Sequence, residues 1–164
     1  MRALALAARR VRKRMMMISL LYVSRSALPP REQQRALDEI VATALRNNPR
    51  ADVTGGLVFT GRHFAQNLEG PEGEVTALME RIGRDPRHRD VDIVYRESIP
   101  ERQFPVWAMA YAGPSTFVAA HVLTLADPAP PAVRHKAAKR LIGLMRQFAE
   151  AHRIARERES GRPL

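Results

Sequence analysis

From Ile18 to Tyr111 the chain alternates short apolar, β-branched runs with two stretches of helical apolar spacing, punctuated by proline and glycine. That order constrains the fold more than any single residue does. Ile18 to Ser24 is apolar enough for a buried strand, and Pro29-Pro30 breaks it. Glu32 to Arg46 sets Leu37, Ile40, Val41, Ala44 and Leu45 at helical spacing. Pro49 is expected to end that helix, because it disfavours helical geometry at Asn48 and has no backbone donor. Leu57-Val58-Phe59 and His63 to Leu68 read as a hairpin turning at Thr60-Gly61-Arg62. Gly70-Pro71 opens a second helix with Val75, Leu78, Met79 and Ile82 on one face, and Asp85-Pro86 closes it. Val91 to Tyr95 and a short run around Trp107–Ala110 complete the set as strands. The predicted fold is therefore α+β: a ferredoxin-like sandwich with a five-stranded mixed sheet, two helices on one face, and further helices at the C-terminus.

Those last helices follow Gly113-Pro114. Thr116 to Leu125 reads as a short helix, and Asp127 to Pro131 as a stiff linker. Ala132 to Glu159 then forms one amphipathic helix with Leu141, Leu144, Met145, Phe148 and Ile154 near one stripe. Packing on its own sheet is the ordinary fate of such a helix, with a second copy or a partner as the alternatives. The expected organisation is a basic N-terminal extension at 1–16, disordered and outside the fold; a folded domain at 17–112; and a helical extension at 113–164.

With apolar residues at 45%, a real core is within reach. The net charge of +10 sits at the ends: residues 1–14 hold six Lys/Arg and no acid, and 134–162 hold nine against three Asp/Glu. Basic ends attract nucleic acid, anionic membrane or acidic protein, but no aromatic residues are interleaved with these cations as a nucleic-acid platform requires. A solvated, solubilising face is the plainer reading. No apolar run is long enough to cross a bilayer. The chain has no cysteine, which removes disulfides, thiolate metal sites, cysteine nucleophiles and cysteinyl adducts with a chromophore. Cytosol is the simplest compartment.

Conventional catalytic signatures are missing: there is no GxGxxG, P-loop, GxSxG or HExxH. His63, His88, His121, His135 and His152 lack metal-ligand spacing, and as isolated residues they read as surface or capping groups. The informative residues are polar groups where a core would prefer apolar ones. Tyr22 lies within the first strand, and Gln66 shares a strand face with Phe64 and Leu68. If that face meets the helices, Gln66 is a buried amide that needs partners. The plain alternative is a core tyrosine, a solvent-facing glutamine, and a helix end at Asn47-Asn48.

The ordered set Leu20-Leu21-Tyr22-Val23-Ser24, Arg46-Asn47-Asn48-Pro49, Val53-Thr54-Gly55, Phe64-Ala65-Gln66-Asn67-Leu68-Glu69-Gly70, Arg81-Ile82, Asp85-Pro86-Arg87-His88 and Phe104-Pro105-Val106-Trp107-Ala108-Met109 resembles the BLUF family, sensors of blue light using FAD. The resemblance covers roughly 18–111. It implies a photoreceptor, not an enzyme, with FAD as cofactor and its ring between the two helices. Ile40 and Ile82 match the residues on its two faces. Asn48 matches the amide at its pyrimidine end, with Asn47 beside it, and Arg81 and Asp85 match further polar contacts. Phe64 falls among the flavin neighbours. Tyr22 matches the electron donor and Gln66 the amide between tyrosine and flavin. Ser24, Trp107 and Met109 match residues that set the glutamine's hydrogen bonds and relay the signal.

The implied chemistry suits these residue types. A phenol gives up an electron and a proton together, and an amide both donates and accepts hydrogen bonds. Light-driven transfer from tyrosine to flavin then leaves a rearranged network, and more donation to a flavin carbonyl shifts absorption slightly to the red. No effector domain fits in 112–164, so output is expected to pass through a homo-oligomer or a separate protein partner. Three departures stand out. The loop after Ser24 is about two residues longer than in many members. Asp52 stands where glycine is frequent, and Ala44 stands where a hydroxyl residue is frequent. Two other readings compete. A nucleic-acid module would need exposed aromatics on central strands, and aromatic content is only 5%. An acylphosphatase-like hydrolase would need a glycine-rich anion loop beside Arg25 or Arg31, and none is present.

Overall fold

The computed structural model describes residues 16–112 and 115–159, the side chains of 107–112 excepted. The expected N-terminal extension therefore lies outside the described residues, apart from Met16. Strand β1 (Met17–Ser26) leads into helix α1 (Gln33–Asn47) and a 3-10 turn at Pro49–Ala51. Strands β2 (Thr54–Phe59) and β3 (His63–Pro71) follow, then helix α2 (Glu72–Arg84). Strands β4 (His88–Ile99) and β5 (Trp107–Ala112) precede helices α3 (Thr116–Ala126) and α4 (Pro131–Glu159).

The sheet order is β4-β1-β3-β2-β5. The first four strands are antiparallel and make the ferredoxin-like core, while β5 joins β2 in parallel. Strand β4 is longer than its apolar run suggests. Its charged residues read as loop, yet they pair along β1 from Met17↔Ile99 to Ser26↔His88. Backbone hydrogen bonds to a central strand outweigh low intrinsic propensity there.

Period-2 alternation sends two sets of side chains to opposite faces. On one face Ile18, Leu20, Tyr22 and Leu68 pack with Val75 and Met79 of α2, while Leu57, Phe59 and Phe64 pack with Leu37 of α1. On the other, Leu21, Val23, Val58, Ala65 and Tyr95 pack with Val118, Val122 and Leu125 of α3 and Ala138, Leu141, Ile142 and Met145 of α4. The C-terminal helices thus cover the sheet's second face. No described helix is long and apolar enough to cross a membrane.

Helix α1 ends before Pro49 as expected, but the geometry of Asn48 differs from the one expected. Asn48 keeps helical geometry (φ −63°, ψ −40°) although Pro49 follows. Its N–H donates to Ala44 O at 2.9 Å, and its carbonyl accepts from Ala51 N at 3.1 Å and Val53 N at 2.9 Å. These bonds offset the steric cost that proline imposes on its predecessor. Asp52 then adopts φ 51°, the left-handed region that glycine enters most easily and aspartate tolerates. That explains why glycine suits this position. Arg102 secures the strained residue, with Nη2 2.8 Å from both Asp52 O and Asp52 Oδ1. Gly55 is required by space: at φ 146°, an added Cβ would lie 1.9 Å from Asn67 O.

Candidate functional site

The site lies on the sheet face beneath α1 and α2. Register makes Tyr22 and Gln66 direct cross-strand partners. Both are buried, and Tyr22 Oη donates to Gln66 Oε1 at 2.9 Å. Burial, reinforced by the negative charge of Asp85, pushes the Tyr22 phenol far above its ordinary pKa. The tyrosine therefore keeps its proton and presents it to the amide. An amide whose oxygen is engaged this way has its N–H donors to offer elsewhere.

Apolar groups flank the pair on both sides. Ile40 packs on the α1 cluster with Leu37, Leu57, Phe59 and Phe64, and Ile82 packs on the α2 cluster with Leu20, Tyr22 and Leu68. Phe64 is fully buried, its ring 4.6 Å from Phe59 and 4.4 Å from His88. Asn48 is buried at the end of α1, and its Nδ2 has no hydrogen-bond partner. An orphaned buried donor is costly, and a ring carbonyl is the kind of acceptor that would satisfy it. A planar heteroaromatic ring with carbonyl oxygens, held between apolar walls, fits this set of residues.

Other expected contacts are arranged differently. Asn47 is half-buried beside Asn48, and Arg81 is exposed on α2. The Asp85 carboxylate is gripped by Arg87, through Nη2 at 2.6 Å, Nε at 2.9 and 3.0 Å and the backbone N–H at 2.9 Å. Burial works against ionisation of Asp85, but the hydrogen bonds from Arg87 prevail and hold its carboxyl below the usual range. Trp107 and Met109 lie on β5 in register with Gly55 and Leu57, and their side chains fall outside the described residues.

His88 is the residue that sequence reasoning misplaced. Read as a surface or capping group, it opens β4 half-buried in the site. Its Nδ1 lies 2.8 Å from Ser24 Oγ, and its ring meets Tyr22 edge-on at 6.0 Å. Ser24 thus reaches the Tyr22–Gln66 pair by way of this imidazole. Desolvation is the main cause that pushes the His88 pKa down to about 4, so the ring is neutral at physiological pH. The signal lay in the Asp85-Pro86-Arg87-His88 stretch, where a proline turn delivers the histidine onto an edge strand beside Ser24.

A family model described as "Sensors of blue-light using FAD" matches residues 17–110. The "Blue light- and temperature-regulated antirepressor BluF" of Escherichia coli (strain K12) is 39% identical over 89 residues, 54% of this chain but 22% of that protein. Among solved structures, "BlrB - a BLUF protein, dark state structure" has a TM-score of 0.60 at 30% identity, covering 75% of this chain and 95% of that one. "BlsA photo-activated state" has a TM-score of 0.67 at 23% identity, covering 80% and 95%, a likeness of fold. The curated relative is thus far longer than the stretch it shares with this chain, whereas the structural neighbours are matched over nearly their whole length. The chain belongs to the BLUF family, sensors of blue light whose cofactor is FAD.

Proposed function

We propose that Tyr22 and Gln66 are the light-reactive pair of this sensor, and that Ile40, Asn48, Phe64 and Ile82 hold the flavin ring. Asn47, Arg81 and Asp85 supply further contacts. The observation that carries this reading is the buried Tyr22 O–H···Oε1 Gln66 bond of 2.9 Å. Excited by blue light, a bound flavin supplies a strong one-electron oxidant. With that oxidant taking one electron from it, Tyr22 would release its phenolic proton along the existing hydrogen bond to Gln66 Oε1. When the electron and a proton return to Tyr22, a Gln66 amide that has rotated or tautomerised in the interval presents a donor where Oε1 had accepted, so the network that re-forms differs from the one that was lost. The apolar walls from α1 and α2 keep water from competing for those bonds. Ser24 bonds His88, whose ring meets the edge of Tyr22, and Trp107 and Met109 carry the altered bonding into β5.

The output is a changed hydrogen-bond arrangement that biases a two-state element, passed on within a homo-oligomer or to a separate protein. The E. coli relative is named an antirepressor, which favours a protein partner over nucleic acid. Absorption of the purified protein before and after blue light tests the reading. Flavin bands that shift reversibly to the red are expected. A protein that stays colourless after FAD is supplied would contradict it.

A further inference from the structure

The sheet face turned away from Tyr22 and Gln66 carries a fully buried carboxylate. Glu69 lies three residues from Gln66 along β3, so the two side chains leave the strand on opposite faces. Glu69 Oε2 accepts from the backbone N–H groups of Gln103 at 2.7 Å and Phe104 at 3.0 Å. Its Oε1 accepts from Asn67 Nδ2 at 3.4 Å, and Asn67 Oδ1 accepts from Ser19 Oγ at 3.1 Å. Among the described residues no cation forms an ion pair with this carboxylate. Arg102 instead bonds the Glu69 backbone carbonyl at 2.7 Å and Thr54 Oγ1 at 3.0 Å.

Topology gives the arrangement its meaning. Strands β4 and β5 occupy opposite edges of the sheet, so the segment joining them must cross every strand between. Glu69, on a strand in the sheet's interior, holds that crossing by its backbone. Phe104, whose own N–H is one of the two bonded, is 1% exposed and packs in the core formed with α3 and α4. A buried carboxylate is a costly way to satisfy two amides that water could satisfy at the surface. What it adds is a rigid, directional link from β3 to a segment that ends in β5 and to the core beneath the C-terminal helices.

We infer that Glu69 is a positioning residue that transmits the change at Gln66 across the sheet, through the 100–106 crossing and Phe104, to α3 and α4. The inference rests on the light-reactive role given to Gln66. Its test is hydrogen exchange of the FAD-loaded protein in darkness and under continuous blue light, with absorption recorded on the same samples. In the wild-type chain, illumination is expected to raise exchange at 100–106 and in α3 by about threefold or more. Glu69→Gln is expected to keep FAD and the red shift, yet to exchange at 100–106 equally fast in dark and light, at the raised level. Asn67→Ala, which removes only the brace on Oε1, is expected to fall between the two.

Wild-type light dependence of exchange in Glu69→Gln would overturn the inference while leaving the Tyr22–Gln66 reading intact. So would a wild-type chain that shifts to the red without any change at 100–106. Failure of both variants to hold FAD would overturn it too, by making the carboxylate a matter of core stability alone. A wild-type chain with bound FAD and no red shift would overturn both readings.

Discussion

At the scale of single residues, the site is built from polar groups placed where each has one defined partner. His88 gives the clearest consequence. Its folded-state pKa, about 4, is depressed below the ordinary 6.5, so the neutral ring contributes stability that is complete above 6.5. As pH falls, the unfolded chain takes up the proton first, and that stability is lost between 6.5 and about 4. The loss should reach about 3 kcal/mol at the lower end, read from urea unfolding at a series of pH values. His88→Phe should flatten the curve in that window, and an unchanged pH dependence would mean that the imidazole is hydrated in the folded protein. Asn48→Ala removes the orphaned amide and should weaken FAD binding about tenfold, measured by titration with the free cofactor.

At the scale of elements, helices α1 and α2 and the hairpin were legible because their signals are local. Apolar spacing at Leu37 and Ile40, or at Val75, Met79 and Ile82, identifies a helix face whatever it packs against. Gln66 was legible because an amide between Phe64 and Leu68 contradicts its own strand face. Glu69 was not, because a glutamate alternating with apolar residues reads as solvent-facing, and only the crossing segment makes its face an interior. His88 and the charged ends of β4 were hidden for the same reason: the packing of His88 on Phe64 and the pairing of the strand ends with β1 depend on residues distant in sequence. The start of β2 shows tertiary space deciding a residue type. Gly55→Ala places a methyl group 1.9 Å from the Asn67 carbonyl and also strains φ, so it should destabilise by more than about 3 kcal/mol or prevent folding. Thermal melts of the FAD-bound protein would show it.

At the scale of the whole molecule, one sheet serves two cores. The face bearing Tyr22 and Gln66 is closed by α1 and α2, and the opposite face by α3 and α4 around Leu141 and Met145. Polar contacts dock α4 on the edge strand: Glu97 meets His135 Nε2 at 3.3 Å and Lys139 Nζ at 3.8 Å, and Arg134 pairs with Asp92. The basic C-terminal segment is therefore partly spent on its own sheet. Leu141→Ala opens a cavity in the second core and should cost about 2–5 kcal/mol in urea unfolding. The size of the light-induced red shift should stay the same, because no flavin-side residue is touched. A lost shift would mean that the two cores are one cooperative unit.

The central claim is that Tyr22 and Gln66, joined by one buried hydrogen bond, form the light-reactive pair. It is tested most directly by the light-minus-dark absorption spectrum of the FAD-loaded wild-type chain beside Tyr22→Phe and Gln66→Leu, each loaded to the same flavin content. A small reversible red shift in the wild type, absent in both variants while FAD stays bound, is the expected result. A shift of wild-type size in either variant would contradict the claim and move the photochemistry to another residue.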